Sequence, residues 1–174
     1  MTNEEKTIIV VDDNNANLIA CKSILKSHYV VYPAASSAKM FELLEHVMPN
    51  LILMDVEMPE VDGYETVRKL KSSDAYKEIP VIFFSARSDA PSEMEGLKLG
   101  AIDYIHKPFS SAVLLKRIEI HLSLFEYKKT IEEQNSTIEE QTKTITELQS
   151  RINELSKQED IDDSLHPTQG NENI

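Results

Sequence analysis

"LILMDVEMPEVDG", residues 51–63, opens with four apolar residues, turns acidic at Asp55, and runs into a loop punctuated by Pro59 and Gly63. A short apolar run bounded by turn signals reads as a strand buried on both faces. The strand therefore delivers a carboxylate where it leaves the core. Asp is common at strand ends because its side chain hydrogen-bonds the backbone of the residues that follow, so Asp55 alone decides nothing. What decides is whether other strand ends bring matching chemistry to the same place.

Between residues 7 and 122 short apolar runs alternate with helical patterns. Strands are predicted at 7–11, 30–34, 51–54, 81–84 and 102–105, and helices near 15–27, 37–47, 62–71, 91–99 and from 110 onward. Five β then α units predict an α/β fold with a doubly wound, five-stranded parallel sheet covered by helices on both faces. In such sheets the ligand site lies outside the carboxyl ends of the strands, where the strand order reverses. The first strand ends in Asp12-Asp13, the third in Asp55, the fourth in Ser85, and the fifth leads into His106-Lys107-Pro108. Three carboxylates, a hydroxyl and an ammonium converge on one rim, which is more than turn capping asks for. Two carboxylates about 4 Å apart repel by roughly 4 kcal/mol at an effective dielectric near 20. The cluster therefore calls for a cation or a proton, and a hard, oxygen-seeking Mg2+ suits it.

Four segments carry a family resemblance: Asp12-Asp13 after "TIIVV", the DxxMPxxDG pattern from Asp55 to Gly63, Ser85-Ala86 after "VIFF", and "YIHKPF" from Tyr104 to Phe109. Over roughly residues 7–122 the sequence resembles the receiver domain of two-component response regulators. The resemblance implies the flavodoxin-like strand order 2-1-3-4-5. It further implies that Asp55 accepts a phosphoryl group from a histidine kinase or phosphotransfer protein. Asp13, Asp55 and the backbone carbonyl of Glu57 would bind Mg2+, with Asp12 helping through water. Lys107 and Ser85 would contact the phosphoryl oxygens, Tyr104 would rotate as a switch aromatic, and Pro108 would follow a cis peptide bond. The chain would assist its own phosphorylation and dephosphorylation without being an enzyme in the usual sense.

Smaller features read more plainly. Gly63 after Asp62 is turn chemistry, and His106 is expected to be a solvated loop residue. Tyr104 also fits a half-buried strand aromatic. Glu57 and Arg87, each two residues beyond a site residue, are expected to meet across the site mouth and shield the phosphoryl group. Cys21 is the only cysteine, which excludes an intrachain disulfide and a thiolate-rich zinc site; it is expected to pack beside Leu18 and Leu25.

The second half repeats. From residue 130 the chain reads TIEEQNS, TIEEQTK, TITELQS, RINELSK. Leu124, Ile131, Ile138, Ile145 and Ile152 share one heptad position, and Tyr127, Gln134, Gln141, Leu148 and Leu155 the companion position three residues on. Ile at a with Leu at d favours a parallel two-stranded coiled coil. No Gly or Pro interrupts residues 110–157, so the fifth helix is expected to run into the coil for about 70 Å at roughly 1.5 Å per residue. The polar layers at Gln134 and Gln141 either fix register or weaken the near end of the seam as part of a switch. The expected divisions are a phosphoacceptor receiver domain over 1–125, a heptad coiled coil over 126–157, and a disordered acidic tail over 158–174.

The 174-residue chain has a net charge of −12, which argues against a nucleic-acid surface. An acidic start with a short apolar run is no secretory signal, and no stretch is long enough to span a membrane. A cytoplasmic, dimeric response regulator without an enzymatic or DNA-binding output domain is the expectation, its conformational change coupled to the coiled-coil dimer and its downstream target unspecified. One rival is the front part of a longer regulator whose coil leads to an output domain such as a cyclic-dinucleotide enzyme. Another is an aspartyl-nucleophile phosphohydrolase, although such enzymes of the haloacid dehalogenase type want Asp-x-Asp after the first strand and here Asp12-Asp13-Asn14 stands there. A degenerate receiver acting as scaffold fits less well, because every expected site residue is present.

Overall fold

A computed structural model describes the backbone of residues 5–165 and the side chains of residues 5–157. The elements alternate as predicted: β1 (Thr7–Val11), α1 (Asn15–Leu25), β2 (Val30–Ala34), α2 (Ser37–Leu44), β3 (Leu51–Met54), α3 (Gly63–Ser72), β4 (Val81–Ser85), α4 (Ala90–Lys98), β5 (Asp103–His106) and α5 (Ser111–Leu165). The sheet is parallel throughout, in the order β2-β1-β3-β4-β5. Residues up to Phe125 form one compact unit and those from Glu126 a second.

Every residue of β1 from Ile8, and every residue of β3 and β4, is buried, which is why these segments read as unbroken apolar runs. Side chains on a strand alternate between faces, so the runs divide between two cores. Ile9, Val11, Ile52, Met54, Val81, Phe83 and Tyr104 join Met40 and Leu44 of α2 and Tyr64, Val67 and Leu70 of α3. Ile8, Val10, Leu51, Leu53, Ile82, Phe84 and Ile105 join Leu18, Cys21 and Leu25 of α1 and Leu114, Ile118 and Leu122 of α5. Cys21 packs beside Leu18 and Leu25 as expected, and burial pushes its thiol up to about 11.

The helices start where polar side chains cap them. Asn14, Ser36, Asp62 and Asp89 accept from the free amides of the first turns of α1, α2, α3 and α4. α4 differs from the other receiver helices in what it buries. Only Ser92 and Gly96 are buried along it, while Met94 and Leu97 are exposed.

α5 continues to Leu165, so the disordered tail expected from residue 158 is helical over 158–165. The heptad pattern ends there, but helix propagation needs no apolar seam, and the first helix breaker downstream is Pro167. Residues 166–174 of that expected tail lie outside the described residues.

β5 is fastened to α5 by Asp103, whose carboxylate accepts from Arg117 Nη1 at 2.7 Å and contacts His121 Nε2 at 3.0 Å. Burial pushes this carboxyl up, but the bonds from His121, the Tyr104 amide and Arg117 outweigh it and hold the group below the usual carboxylate range. A depressed native value contributes stability that is present above the unfolded value near 3.9 and lost as pH falls through the native one. Asp103→Asn is therefore expected to cost about 1–3 kcal/mol at pH 7. The gap from wild type should close toward pH 3 in urea unfolding of the two proteins.

Candidate functional site

The sheet order makes β1 and β3 neighbours, with Val11 opposite Met54, so the residues that follow, Asp12 and Asp55, emerge side by side. Backbone bonds extend the ladder past the strand ends. The Asp55 amide donates to Val11 O at 2.8 Å, the Asp12 amide to Ala34 O at 3.1 Å, and the Lys107 amide to Ser85 O at 2.8 Å. Alternation then sorts the side chains. Asp12, Asp55 and Lys107 continue the parity of the α1/α5 face, whereas Ser85 and His106 continue that of the α2/α3 face.

Carboxylate oxygens of Asp12, Asp13 and Asp55 lie within 4.8 Å of one another. Asp12 is fully buried and Asp55 nearly so, while Asp13 is exposed. Asp12 is saturated: Oδ1 accepts from the Asn14 amide at 2.8 Å and Asn17 Nδ2 at 3.2 Å, and Oδ2 from Asn17 Nδ2 at 2.9 Å and Lys107 Nζ at 2.7 Å. Lys107 Nζ also stands 3.2 Å from Asp55 Oδ2 and 4.3 Å over the Phe84 ring, a position that favours a cation. The Lys107–Pro108 peptide is cis.

Asp55 Oδ1 is buried and has no hydrogen-bond partner among the described residues. Burial pushes the Asp55 carboxyl above the ordinary range; Lys107 opposes this and Asp12 reinforces it. Three carboxylates facing one ammonium leave an excess of negative charge, and a buried carboxylate oxygen without a donor is costly. The donor set is all oxygen and fits a hard divalent cation. Asp12, Asp13 and Asp55 can hold one.

Ser85 is fully buried, and its Oγ accepts from the Arg87 amide at 3.2 Å. Arg87 Nε in turn reaches Glu57 Oε1 at 3.2 Å, so these side chains meet as expected, half exposed. Tyr104 is buried rather than half-buried. Its ring lies beside Phe83, with centroids 6.0 Å apart, and its hydroxyl makes no hydrogen bond of ordinary geometry. Tyr64 stacks edge-on against the same Phe83, and its hydroxyl donates to Ser92 O at 2.8 Å.

Sequence reasoning missed Asn17 and misjudged His106. Asn17 lies in the first turn of α1, five residues after Asp12, where its amide can reach back to the strand end; that spacing was the available signal. His106 is not merely solvated. Its Nδ1 lies 3.2 Å from Arg87 O and its Nε2 3.4 Å from Glu93 Oε2, and no pattern along the chain announces these partners.

A doubly wound α/β domain with an acid–lysine cluster at its β1/β3 switch point is the class that fold and site define. Residues 8–119 match the response regulator receiver domain, and the chain belongs to that family. Among curated proteins it is 36% identical over 116 residues to the "Probable cyclic di-GMP phosphodiesterase" of Vibrio cholerae, covering 67% of this chain and 26% of that one. The chain spans between 8% and 58% of the length of such relatives. Among solved structures, the CheY-like receiver domain protein of Methanospirillum hungatei superposes with a TM-score of 0.67 at 28% identity, covering 72% of this chain and 99% of that one. The receiver domain of a sensor histidine kinase from Pseudomonas aeruginosa, with a magnesium ion coordinated in its active-site cleft, superposes with a TM-score of 0.63 at 27% identity, covering 68% of this chain and 98% of that one. No helix among the described residues is long and apolar enough to cross a membrane.

Gly63 holds the site for a reason beyond turn chemistry. A Cβ on it would stand 2.1 Å from Asp55 O and 2.9 Å from Val56 Cα, both backbone atoms that cannot swing aside. Gly63→Ala is therefore expected to cost at least about 2 kcal/mol, in the range of overpacking a tight contact. Urea unfolding at pH 7 measures it, and a change within 0.5 kcal/mol, the range of about ±0.5 for neutral surface substitutions, would contradict the close approach.

Proposed function

We propose that the chain is a response regulator whose Asp55 accepts a phosphoryl group from a phosphohistidine on a histidine kinase or phosphotransfer protein. The observation that carries this reading is Asp55 itself: a nearly buried carboxylate with one oxygen unpartnered, beside a lysine already shared with a second aspartate. An Asp55 oxygen attacks phosphorus, the P–N bond to the donor imidazole breaks, and its electron pair stays on the ring nitrogen. Carboxylates serve as nucleophiles of this kind.

Lys107, placed between Asp12 and Asp55, offers its ammonium to the phosphoryl oxygens as negative charge is handed over. Ser85, buried at the end of β4, donates its hydroxyl proton to the same oxygens. Mg2+, held by Asp13, Asp55 and the Glu57 carbonyl with Asp12 helping through water, would supply positive charge against the transferred group. Glu57 and Arg87 close over the mouth and limit the access of water. The group left on Asp55 adds up to about two negative charges and three strong acceptors. Ser85 is drawn toward it, and Tyr104 responds in the core beneath.

Self-association belongs to the same reading. Leu124, Tyr127, Ile131, Ile138, Ile145, Leu148, Ile152 and Leu155 are each 54% to 68% exposed and form a single stripe at a and d. A second copy of the chain covers it in parallel, because parallel pairing sets Gln134 against Gln134 and Gln141 against Gln141. Antiparallel pairing would face each amide with an isoleucine. Of the four g positions that precede the isoleucines, Thr130, Thr137 and Thr144 carry hydroxyls that donate to carbonyls of their own helix at 3.0, 3.0 and 3.1 Å, and only the last, Arg151, is charged.

A second reading, the regulatory front of a longer protein with a cyclic-dinucleotide output enzyme, draws on the similarity to the Vibrio cholerae protein, of which this chain covers 26%.

Incubation with acetyl phosphate and Mg2+, followed by intact mass spectrometry, is expected to add one phosphoryl group to the wild type and none to Asp55→Asn. An adduct retained by the Asn variant would dismiss Asp55 as acceptor. Light scattering on the full chain is expected to give a dimer mass. Ile138→Asn with Ile145→Asn should return it to the monomer; a monomeric wild type would remove the seam.

A further inference from the structure

His106 closes β5 one residue before Lys107, and alternation sends its ring to the opposite face from the acid cluster. There it meets two acceptors at once: Nδ1 lies 3.2 Å from the Arg87 carbonyl and Nε2 lies 3.4 Å from a Glu93 carboxylate oxygen. The Arg87 carbonyl contact is a hydrogen bond and the Glu93 contact an ion-pair distance; neither acceptor can donate, so both are favourable together only when both ring nitrogens carry hydrogen. A neutral ring keeps one proton and turns a lone pair toward the other acceptor.

The two acceptors belong to the β4–α4 loop and to the first turn of α4. A carboxylate is at home at that end of a helix. The other charged or titratable neighbours are engaged elsewhere. The Arg87 guanidinium turns to Glu57, Asp89 accepts from Ser92, Lys107 serves Asp12 and Asp55, and Tyr104 lies ring to ring with His106 at 5.2 Å. α4 buries no apolar side chain, so polar ties such as Tyr64 to Ser92 and His106 to Glu93 matter to its position. The loop that His106 holds is also the one joined to Ser85, through the Arg87 amide.

We propose that His106 is a positioning residue that works as a proton-operated clamp: as imidazolium it pins the β4–α4 loop and α4 in the arrangement seen here, and on losing its proton it releases Glu93. In this proposal the pinned arrangement is the one that resists phosphorylation, so acid opposes the modification. The clamp stands on its own geometry, whereas its coupling to Asp55 rests on the phosphoacceptor reading above.

Two measurements on the full chain separate these. Heteronuclear NMR of the unphosphorylated protein between about pH 5 and 8, where imidazole changes charge, follows the His106 ring and the amides of residues 87–93. These amides are expected to track the ring in wild type and to lose that dependence in His106→Gln and in Glu93→Gln. Amides that stay still while the ring titrates, or that move equally in the variants, overturn the clamp whatever Asp55 does. The second measurement is the phosphorylated fraction with acetyl phosphate and Mg2+ in wild type and Glu93→Gln. The variant is expected to exceed wild type by about two- to fivefold in acid, the scale an exposed ion pair allows, and to match it in base. A ratio independent of pH overturns the coupling, and no phosphorylation of either protein refutes the phosphoacceptor reading while leaving the clamp to the NMR result.

Discussion

Three carboxylates and one ammonium share the rim above β1 and β3, and the arrangement of the receiver unit follows from that imbalance. Lys107 answers two of the acids at once, donating to Asp12 at 2.7 Å and standing 3.2 Å from Asp55. Removing Asp12 from water entirely is costly unless its oxygens are fully bonded, and the Asn14 amide and the Asn17 side chain complete them. Asp55 receives less. One of its oxygens has no hydrogen-bond partner among the described residues, and Asp13 lies out in solvent.

The two apolar cores hold this costly polar rim in place. Parity along each strand sends successive side chains to opposite cores, and the same parity carried past the strand ends decides which polar groups meet. Asp12, Asp55 and Lys107 share one side of the sheet edge, Ser85 and His106 the other. The rim thus has an acid–lysine half over the α1/α5 core and a Ser85–His106 half over the core that contains Tyr104, Phe83 and Tyr64.

Much of this was legible from residue order. β1 and β3 fall where their apolar runs place them, because strands buried on both faces leave little latitude, and β2, a mostly half-buried edge strand, matches its predicted span as well. β5 begins at Asp103 rather than at Ile102, which is 38% exposed; an apolar residue ahead of a strand looks the same in sequence as one inside it. The acid cluster was visible because each member ends a strand. Asn17, and the partners of His106, were not, since a histidine bonded to a backbone carbonyl leaves no mark on the residue that supplies it. Tyr104 also fits a half-buried strand aromatic by sequence, yet the structure buries it in the core, because residue order does not show that Phe83 and Tyr64 pack around it. The helix past residue 157 was missed because heptad spacing reports an apolar seam, whereas propagation needs only the absence of a breaker.

α4 buries a serine and a glycine and no methylene-rich side chain. Gly96 lets the helix lie directly on two aromatic rings, where an added Cβ would stand 2.8 Å from a Phe83 ring carbon and 3.3 Å from a Tyr104 ring carbon. The apolar area between α4 and the sheet therefore belongs to Phe83 and Tyr104, and lifting the helix would wet those rings and raise the heat capacity.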